Sequence, residues 1–444
     1  KMITFSKIGK KGNLGNHLFQ IASTIGLAVE HNLEYGFLPW QHQQHFKNKL
    51  PSIAEIPADI VVVNEAHFHH HHWNLKSQNT HYDLVGWLQS EQYFDRVKTK
   101  FYFEFEDAIV DKVKSRYTTA FQKRTILISI RRGDFVNHPD YLQLSIKYYL
   151  NALVRFFPDW ESYNLVVLSD DIAYCKFHFS FLKNAFFGDG LNAIEQLCLG
   201  SLCDDFIISN STFSWWSAWL GEKEDSKVVC PHQNFAGKKR LTFDDKDYYP
   251  TRWLSYNAKD DNIKLDDITV YLNFKNNSQI ISDYLLHYFE VDIRFNSIPA
   301  EASKNMYCFK KDYVLPPVLF YYSCLKKLDS THSTVINNVV KAIRVSKKLN
   351  YDEFAEQLDF GIFSSIFNSK ATASNTIKKR VYLTDDLNFE ANSAQFLTSN
   401  PLILNVSVGQ FCSTGYAFSF KRYRKWLLRM VKGKIKKALL LIKR

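Results

Sequence analysis

The sequence predicts an α/β protein whose parallel sheet is covered by helices on both faces. Apolar runs of strand length alternate with helical stretches, the pattern of strands buried on both sides. The chain opens on a strand, a glycine-rich turn and a helix. Three later strands end in polar motifs, and open α/β sheets bind ligands beyond the carboxyl ends of their strands.

Residues 2–8 alternate and lead into Gly9-Lys10-Lys11-Gly12-Asn13-Leu14-Gly15-Asn16. Leu18, Phe19, Ile21, Ile25, Leu27 and Ala28 then recur with helical spacing. A strand is expected at 59–63. The run 124–130 is a buried strand ending in Arg131-Arg132-Gly133-Asp134. Further strands are expected at 165–168, ending in Ser169-Asp170-Asp171, and at 205–208, ending in Ser209-Asn210-Ser211-Thr212. Another lies at 228–231. Helices are expected at 145–156 and 191–203. The polar run 257–267 reads as a linker. Residues 268–420 read as an α+β extension with helices at 334–348 and near 352–367. That region carries no chemical motif, and the chain shows no internal repeat.

The 444 residues suit two or three domains. Hydrophobic and charged fractions of 46% and 23% are those of a globular protein. Tyr and Phe are abundant, as in sugar-binding proteins and in ordinary large cores alike. A net charge of +11 invites a nucleic-acid reading, against which the distribution argues for the body of the chain. Residues 421–444 hold eleven Lys or Arg and no acid, and so account for the whole surplus of 56 basic over 45 acidic residues. Within this tail Leu427, Val431, Ile435, Ala438 and Ile442 recur at steps of three or four. It reads as a basic amphipathic helix for an anionic membrane surface, with nucleic-acid binding and a solvated tail as rivals.

Seven scattered cysteines without a CxxC pair fit free thiols in a reducing compartment. Residues 2–5 read as a first strand rather than a signal peptide, and no apolar run of about 18 residues occurs. The expected location is cytoplasmic and peripheral, on the inner face of the membrane.

Two adjacent arginines at a strand end are costly to bury unless an anion meets them. Guanidinium forks fit phosphate oxygens bidentately, so Arg131 and Arg132 read either as a phosphate clamp or as an Arg–Asp network. Ser211 and Thr212 precede the helical run Phe213-Ser214-Trp215-Trp216. They read as an anion-binding helix start or as ordinary caps over a tryptophan-rich core. The spacing of Gly9, Gly12 and Gly15 fits neither the dinucleotide fingerprint nor a Walker loop. Trp87 and Gln89 read as lining a sugar cleft or as an aromatic-anchored loop. His67 and His69 to His72 cannot all face one ion and are expected in a solvated loop.

Taken together, these segments resemble the bacterial and animal alpha-1,2-fucosyltransferases, glycosyltransferase family 11. Gly12-Asn13-Leu14-Gly15-Asn16-His17-Leu18-Phe19-Gln20 matches the family's opening turn. Residues 86–94 match its Gly-Tyr-Phe-Gln-Ser segment, with Trp87 for Tyr. Residues 129–134 match His-x-Arg-Arg-Gly-Asp, with Ser129 for His. Residues 169–171 and 210–216 match Ser-Asp-Asp and Asn-Ser-Thr-Phe-Ser-Trp-Trp. The ordered matches cover residues 3–253.

The resemblance implies a GT-B fold of two facing Rossmann-like domains, at 1–120 on the acceptor side and 121–256 on the donor side. Residues 268–420 and the tail 421–444 fall outside it. It implies an inverting, metal-independent transfer of L-fucose from GDP-β-L-fucose to O-2 of a terminal β-galactoside, and together with the basic tail it suggests a setting of bacterial surface polysaccharide. Arg131 and Arg132 would stabilise the departing diphosphate. Ser129, Asn210, Ser211, Thr212 and Phe213 would support the nucleotide, and Asp170 and Glu195, the latter where relatives often carry Asp, would read guanine. Asn16, Gln20, Trp87 and Gln89 would face acceptor or fucose. Asp134 is the candidate base. The rival readings are a same-fold transferase of another GDP-sugar and a non-catalytic glycan-binding scaffold.

Overall fold

The computed structural model describes residues 1–273 except 76–78, 137 and 181. Beyond these it describes 282, 285–295, 306–308, 317–318, 320–321 and 379–384. The chain divides into two units, Lys1–Ile263 and Lys264–Arg444.

The first unit holds two parallel sheets. In the N-terminal one, β1 (Met2–Thr4), β2 (Glu34–Tyr35), β3 (Val61–Asn64) and β4 (Tyr82–Val85) lie in the order β2-β1-β4-β3. Helix α1 (Leu14–Glu30) follows the glycine turn and is buried along most of its length. Two shorter helices, α2 (Arg96–Tyr102) and α3 (Asp107–Arg116), lead to the second sheet.

That sheet has six strands: β5 (Thr125–Ile130), β6 (Asn164–Ser169), β7 (Ala185–Phe187), β8 (Asp205–Ile208), β9 (Val228–Pro231) and β10 (Leu254–Tyr256). Their order is β10-β9-β8-β5-β6-β7, and every pair is parallel. Its helices are α4 (Ile146–Phe156), α5 (Ile172–Phe179), α6 (Ala193–Ser201), α7 (Thr212–Gly221) and α8 (Gly237–Thr242). The chain runs outward from β5 through β6 and β7, then returns to β8 on the other side of β5. The strand order therefore reverses at β5, and a crevice opens there. Arg131 is the first residue past that strand.

The sheets meet through α1 and α7. Trp215, Trp216 and Trp219 of α7 are fully buried. Phe19 of α1 packs on Trp215 and Trp216 at centroid distances of 4.5 and 5.0 Å. Buried indole N–H groups need acceptors. Trp215 donates to the Tyr248 carbonyl at 2.8 Å and Trp219 to Glu91 at 3.0 Å. The α1–α7 seam thus fixes the two amino-terminal helix ends beside one another.

The run 257–267, expected as a linker, does contain the boundary between the two units, but its first part is bonded to the first unit rather than free. Lys147 donates to the Lys259 carbonyl at 3.0 Å and to Asn262 at 2.7 Å, and Tyr256 donates to Asp261 at 2.6 Å. Asn151 and Arg155 also bond Asp261. Residues 263–273 form strand β11 (Ile263–Asn273). In the second unit, β12 (Phe289–Phe295), β13 (Met306–Cys308) and β14 (Lys379–Thr384) complete a four-stranded sheet of order β12-β11-β14-β13. The helices expected at 334–348 and 352–367 and the tail 421–444 lie outside the described residues.

Cys175, Cys198, Cys203 and Cys230 are free and buried, and burial pushes all four thiols up. Among the described residues no helix is long and apolar enough to cross a membrane.

Candidate functional site

A cavity of about 460 Å³ lies where the glycine turn before α1, the end of β5 and the start of α7 converge. Gly9 and Gly12 have φ of +73° and +84°, a left-handed backbone that suits glycine. Gly15 sits so close to α7 that an added Cβ would lie 2.6 Å from the Phe213 nitrogen and from the Thr212 carbonyl carbon. Gly15 therefore permits a close approach of two helix ends, whereas Gly9 and Gly12 shape the turn before α1. Asn16 faces the cavity, and its Oδ1 accepts from Gln89 Nε2 at 2.7 Å.

Trp87 and Gln89 reach the wall from a loop held by Glu65. That carboxylate accepts from Trp87 N at 2.7 Å and Leu88 N at 2.9 Å. Leu88 has φ of 56°, a left-handed conformation costly for leucine, and the two bonds to Glu65 hold it there. Burial pushes the Glu65 carboxyl above its ordinary value. Lys11 stands 4.6 Å over the Trp87 ring. Gln20 is elsewhere: it is fully buried, off the cavity wall, and donates to the Lys11 carbonyl at 3.1 Å. It shapes the turn rather than facing a ligand.

The two arginines diverge. Arg131 lines the cavity and is held by Asp134 at 2.6 Å and Asp170 at 3.3 Å. Arg132 is off the wall and buried. It pairs with Asp171 at 3.1 Å and lies 3.7 Å over the Tyr174 ring. Both arginines thus belong to an Arg–Asp network, and of the two only Arg131 also reaches the cavity. Asp134 is on the wall and mostly exposed. Asp170 is not on the wall. Its Oδ1 accepts from Arg132 N at 2.9 Å and its Oδ2 faces Arg131, so it orients arginines where it was expected to read guanine.

Glu195 also departs from its expected place. It closes a capping box with Asn192 at the start of α6 and pairs with Lys112 at 2.6 Å, off the cavity wall. The Lys112 ammonium, with the Asn192 amide, holds its carboxyl below the ordinary value. Ser129 is buried beneath the site, in a hydroxyl chain with Ser214 at 2.7 Å and Ser209 at 2.8 Å. Asn210, Ser211, Thr212 and Phe213 all reach the wall. Ser211 is the N-cap of α7, its Oγ accepting from Phe213 N at 3.2 Å, and Asn210 is anchored on the Leu142 and Asn234 carbonyls at 3.1 and 2.9 Å. The amino end of α7, with its positive dipole end, points into the cavity.

Several wall residues were not among those expected at the site from the sequence. His17 lies in the opening turn, and its Nδ1 accepts from Trp40 Nε1 at 3.3 Å, which leaves the proton of the neutral ring on Nε2. Burial, then nearby His42, pushes His17 below 6.5, and burial, then His45, does the same to His42. Both therefore face the cavity as neutral rings near pH 7. Tyr141, Phe235, Lys239 and Phe243 also line the cavity. The position of Phe235 and Lys239 just beyond β9 was the available signal, since ligand groups gather at strand ends.

The histidine loop is tied down where a solvated loop was expected. His70 N donates to Asp247 at 2.7 Å, His71 bonds the Tyr93 hydroxyl, and its ring stacks on Trp73 at 5.2 Å. Among the described residues no group of three or more His, Cys, Asp or Glu is placed to hold a metal ion.

Comparison with known proteins locates this arrangement. The model of the family described as glycosyl transferase family 11 matches residues 2–257. The O-antigen biosynthesis glycosyltransferase WbnK of Escherichia coli is 35% identical over 131 residues, 27% of this chain and 43% of that protein. An alpha-1,2-colitosyltransferase of Escherichia coli is 26% identical over 181 residues, 39% of this chain and 61% of that protein. The protein svh-11 of Caenorhabditis elegans, which carries the name of a galactoside 2-alpha-L-fucosyltransferase, is 23% identical over 294 residues, 56% of this chain and 77% of that protein. The matches thus span 43% and 61% of the two Escherichia coli relatives.

Proposed function

Because the chain belongs to glycosyl transferase family 11, we propose that it is an inverting transferase that moves L-fucose from GDP-β-L-fucose to the 2-hydroxyl of a terminal β-galactoside. The observation that carries this reading is the convergence of Arg131, the amino end of α7 and the Trp87–Gln89 loop on one cavity. A guanidinium and helix N–H groups suit a departing diphosphate. An aromatic face and two amides suit a sugar. The two parallel sheets, with the crevice at the reversal of strand order, fit a GT-B arrangement in which β5 to β10 carry the nucleotide.

In the transfer, the bond from fucose C1 to the β-phosphate oxygen breaks and a bond from C1 to the acceptor O-2 forms. GDP leaves with the bonding electron pair, and the acceptor proton must go to the wall. Asp134, the candidate from the sequence, is engaged by Arg131 at 2.6 Å. His42 is a neutral imidazole on the same wall and takes the proton in this reading. Arg131 and the α7 amides stabilise the charge on GDP, with no metal required.

The relative named a colitosyltransferase favours a second donor reading, a GDP-linked colitose in place of fucose. GDP release with lactose as acceptor tests the proposal. GDP-fucose should support turnover that Arg131→Ala abolishes, and GDP-mannose should not. Faster turnover with the colitose donor would move the reading to that sugar, and no turnover with any donor or galactoside would favour a glycan-binding scaffold. The tail 421–444 is proposed to hold the enzyme on an anionic inner membrane face, where a lipid-linked acceptor would lie.

A further inference from the structure

We propose that Lys239 supplies the second positive charge for the donor's diphosphate, a role that rests on the nucleotide-sugar reading above and adds a residue to it. A sugar nucleotide brings two phosphates, and Arg131 answers them with a single guanidinium already shared with Asp134 and Asp170. Arg132, the neighbour expected to help, is turned away onto Asp171 and Tyr174. The α7 amides add partial charge but no full one, and the second cationic side chain on the cavity wall is Lys239.

The local structure builds Lys239 into place. Gly237 opens α8 with φ of +52°, and an added Cβ there would lie 2.4 Å from the Pro139 carbonyl oxygen. The turn can therefore press against the segment that carries Tyr141, and Ala236 N bonds the Asp140 carbonyl at 2.9 Å. The Lys239 ammonium then lies 4.6 Å from the ring centres of both Tyr141 and Phe235 and 5.3 Å from that of Phe243. Ring faces offset part of the cost of drawing an ammonium out of water. They do not neutralise it, and among the described residues no carboxylate pairs with it. An ammonium has three donors. One goes to the Tyr141 hydroxyl at 3.2 Å, which leaves two for acceptors in the cavity.

The two cations are joined by an aromatic bridge. Tyr141 stacks on Phe135 at 4.3 Å, and the Arg131 guanidinium lies 5.4 Å from the Phe135 ring centre. Arg131 and Lys239 are therefore held on one stacked pair and line the same cavity. Arg131, planar and forked, suits bidentate contact, whereas Lys239 acts as a point charge.

Calorimetric titration of the full chain with GDP, GMP and guanosine tests this. Lys239→Met keeps the aliphatic contact with the rings and removes the charge. It should weaken GDP roughly ten- to a hundredfold, as expected for loss of a charged hydrogen bond. GMP should weaken less and guanosine not at all. Lys239→Arg should recover part of the GDP affinity, which a role confined to filling the aromatic cluster would not produce. A wild-type protein that binds GDP while Lys239→Met and Lys239→Gln bind it equally well would overturn the role of Lys239 alone. A wild-type protein that binds no GDP would sink the donor reading and this one with it.

Discussion

Gly15→Ala is the sharpest single probe of how the fold makes the site. Gly15 is the second residue of α1, and its Cα faces the first turn of α7. A methyl group there would meet Phe213 N, the Thr212 carbonyl carbon and Thr212 Oγ1, each at 2.6 Å. Two of these are backbone atoms of one helix start, so no rotamer change relieves them. Ordinary contact begins at 3.4 Å, and the helix ends must separate by roughly 0.8 Å. Overpacking of this kind costs about 1–3 kcal/mol, which for a unit of this size lowers Tm by about 2–12 °C. The same displacement moves Thr212 and the α7 amides away from Arg131, and a misplacement near 1 Å costs on the order of a hundredfold in turnover. Gly26→Ala is the control, since its Cβ would fall 1.8 Å from the Tyr93 carbonyl oxygen, away from the cavity wall. It should destabilise at least as much. Calorimetric Tm, GDP affinity and transfer rate, measured below both transitions, separate the two. A Gly15→Ala protein with wild-type Tm and wild-type GDP affinity would refute the argument that the two helix ends are in contact because the site needs them so.

The remaining predictions are briefer. Arg132→Met should cost about 3–5 kcal/mol by leaving Asp171 buried without its cation. The folded fraction should bind GDP nearly as wild type, and a hundredfold loss of affinity would return Arg132 to the phosphate. Glu195→Ala should cost about 0.5–2 kcal/mol through the lost capping box, with the preference for GDP over other nucleoside diphosphates unchanged in competition assays. For His42 the sign runs with acid: burial, then His45, lowers its pKa from 6.5, so the neutral, proton-accepting form persists somewhat below 6.5 and is lost as pH falls through the lowered pKa. Transfer should therefore be flat from pH 7 upward and fall in acid. His42→Gln should abolish that limb and lower kcat about 10²–10⁴-fold while GDP affinity holds, and an acid limb unchanged in His42→Gln would exclude it as the acceptor of the proton. Deleting 421–444 should abolish sedimentation with anionic vesicles and leave lactose turnover intact.

What could be read beforehand divides along physical lines. The six-stranded sheet was legible because strands buried on both faces show as unbroken apolar runs, as in Thr125–Ile130 and Asn164–Ser169. The cavity's position was legible because polar motifs sit at the ends of those strands. The divergence of Arg131 and Arg132 was also within reach, since side chains of successive residues leaving a strand point to opposite sides. Only one of an adjacent pair could face the crevice without a bend in the chain. Glu195 carried the plain signature of a cap, Asn192-Ala193-Ile194-Glu195, in front of an apolar helix. That signal competed with the family position and, in the structure, prevailed.

The misses come from contacts between distant segments. The run 257–262 is polar enough for a linker, but composition does not tell a solvated Asp261 from one bonded by Tyr256, Asn151 and Arg155. The histidine loop is anchored by Asp247, and the Lys239 cage draws on residues 141, 235 and 243. These elements share a cause: in each, at least one partner lies about a hundred residues or more away, as Asn151 and Arg155 do from Asp261, Asp247 from His70 and Tyr141 from Lys239. Local pattern predicts where backbone goes, because backbone hydrogen bonds close over short spans or along apolar strands. It does not predict which cation faces a ligand, because that is set by which carboxylates the fold has already assigned to the others. Asp134, Asp170 and Asp171 take up Arg131 and Arg132. Lys239, given rings and a hydroxyl in place of a carboxylate, keeps its charge for the cavity.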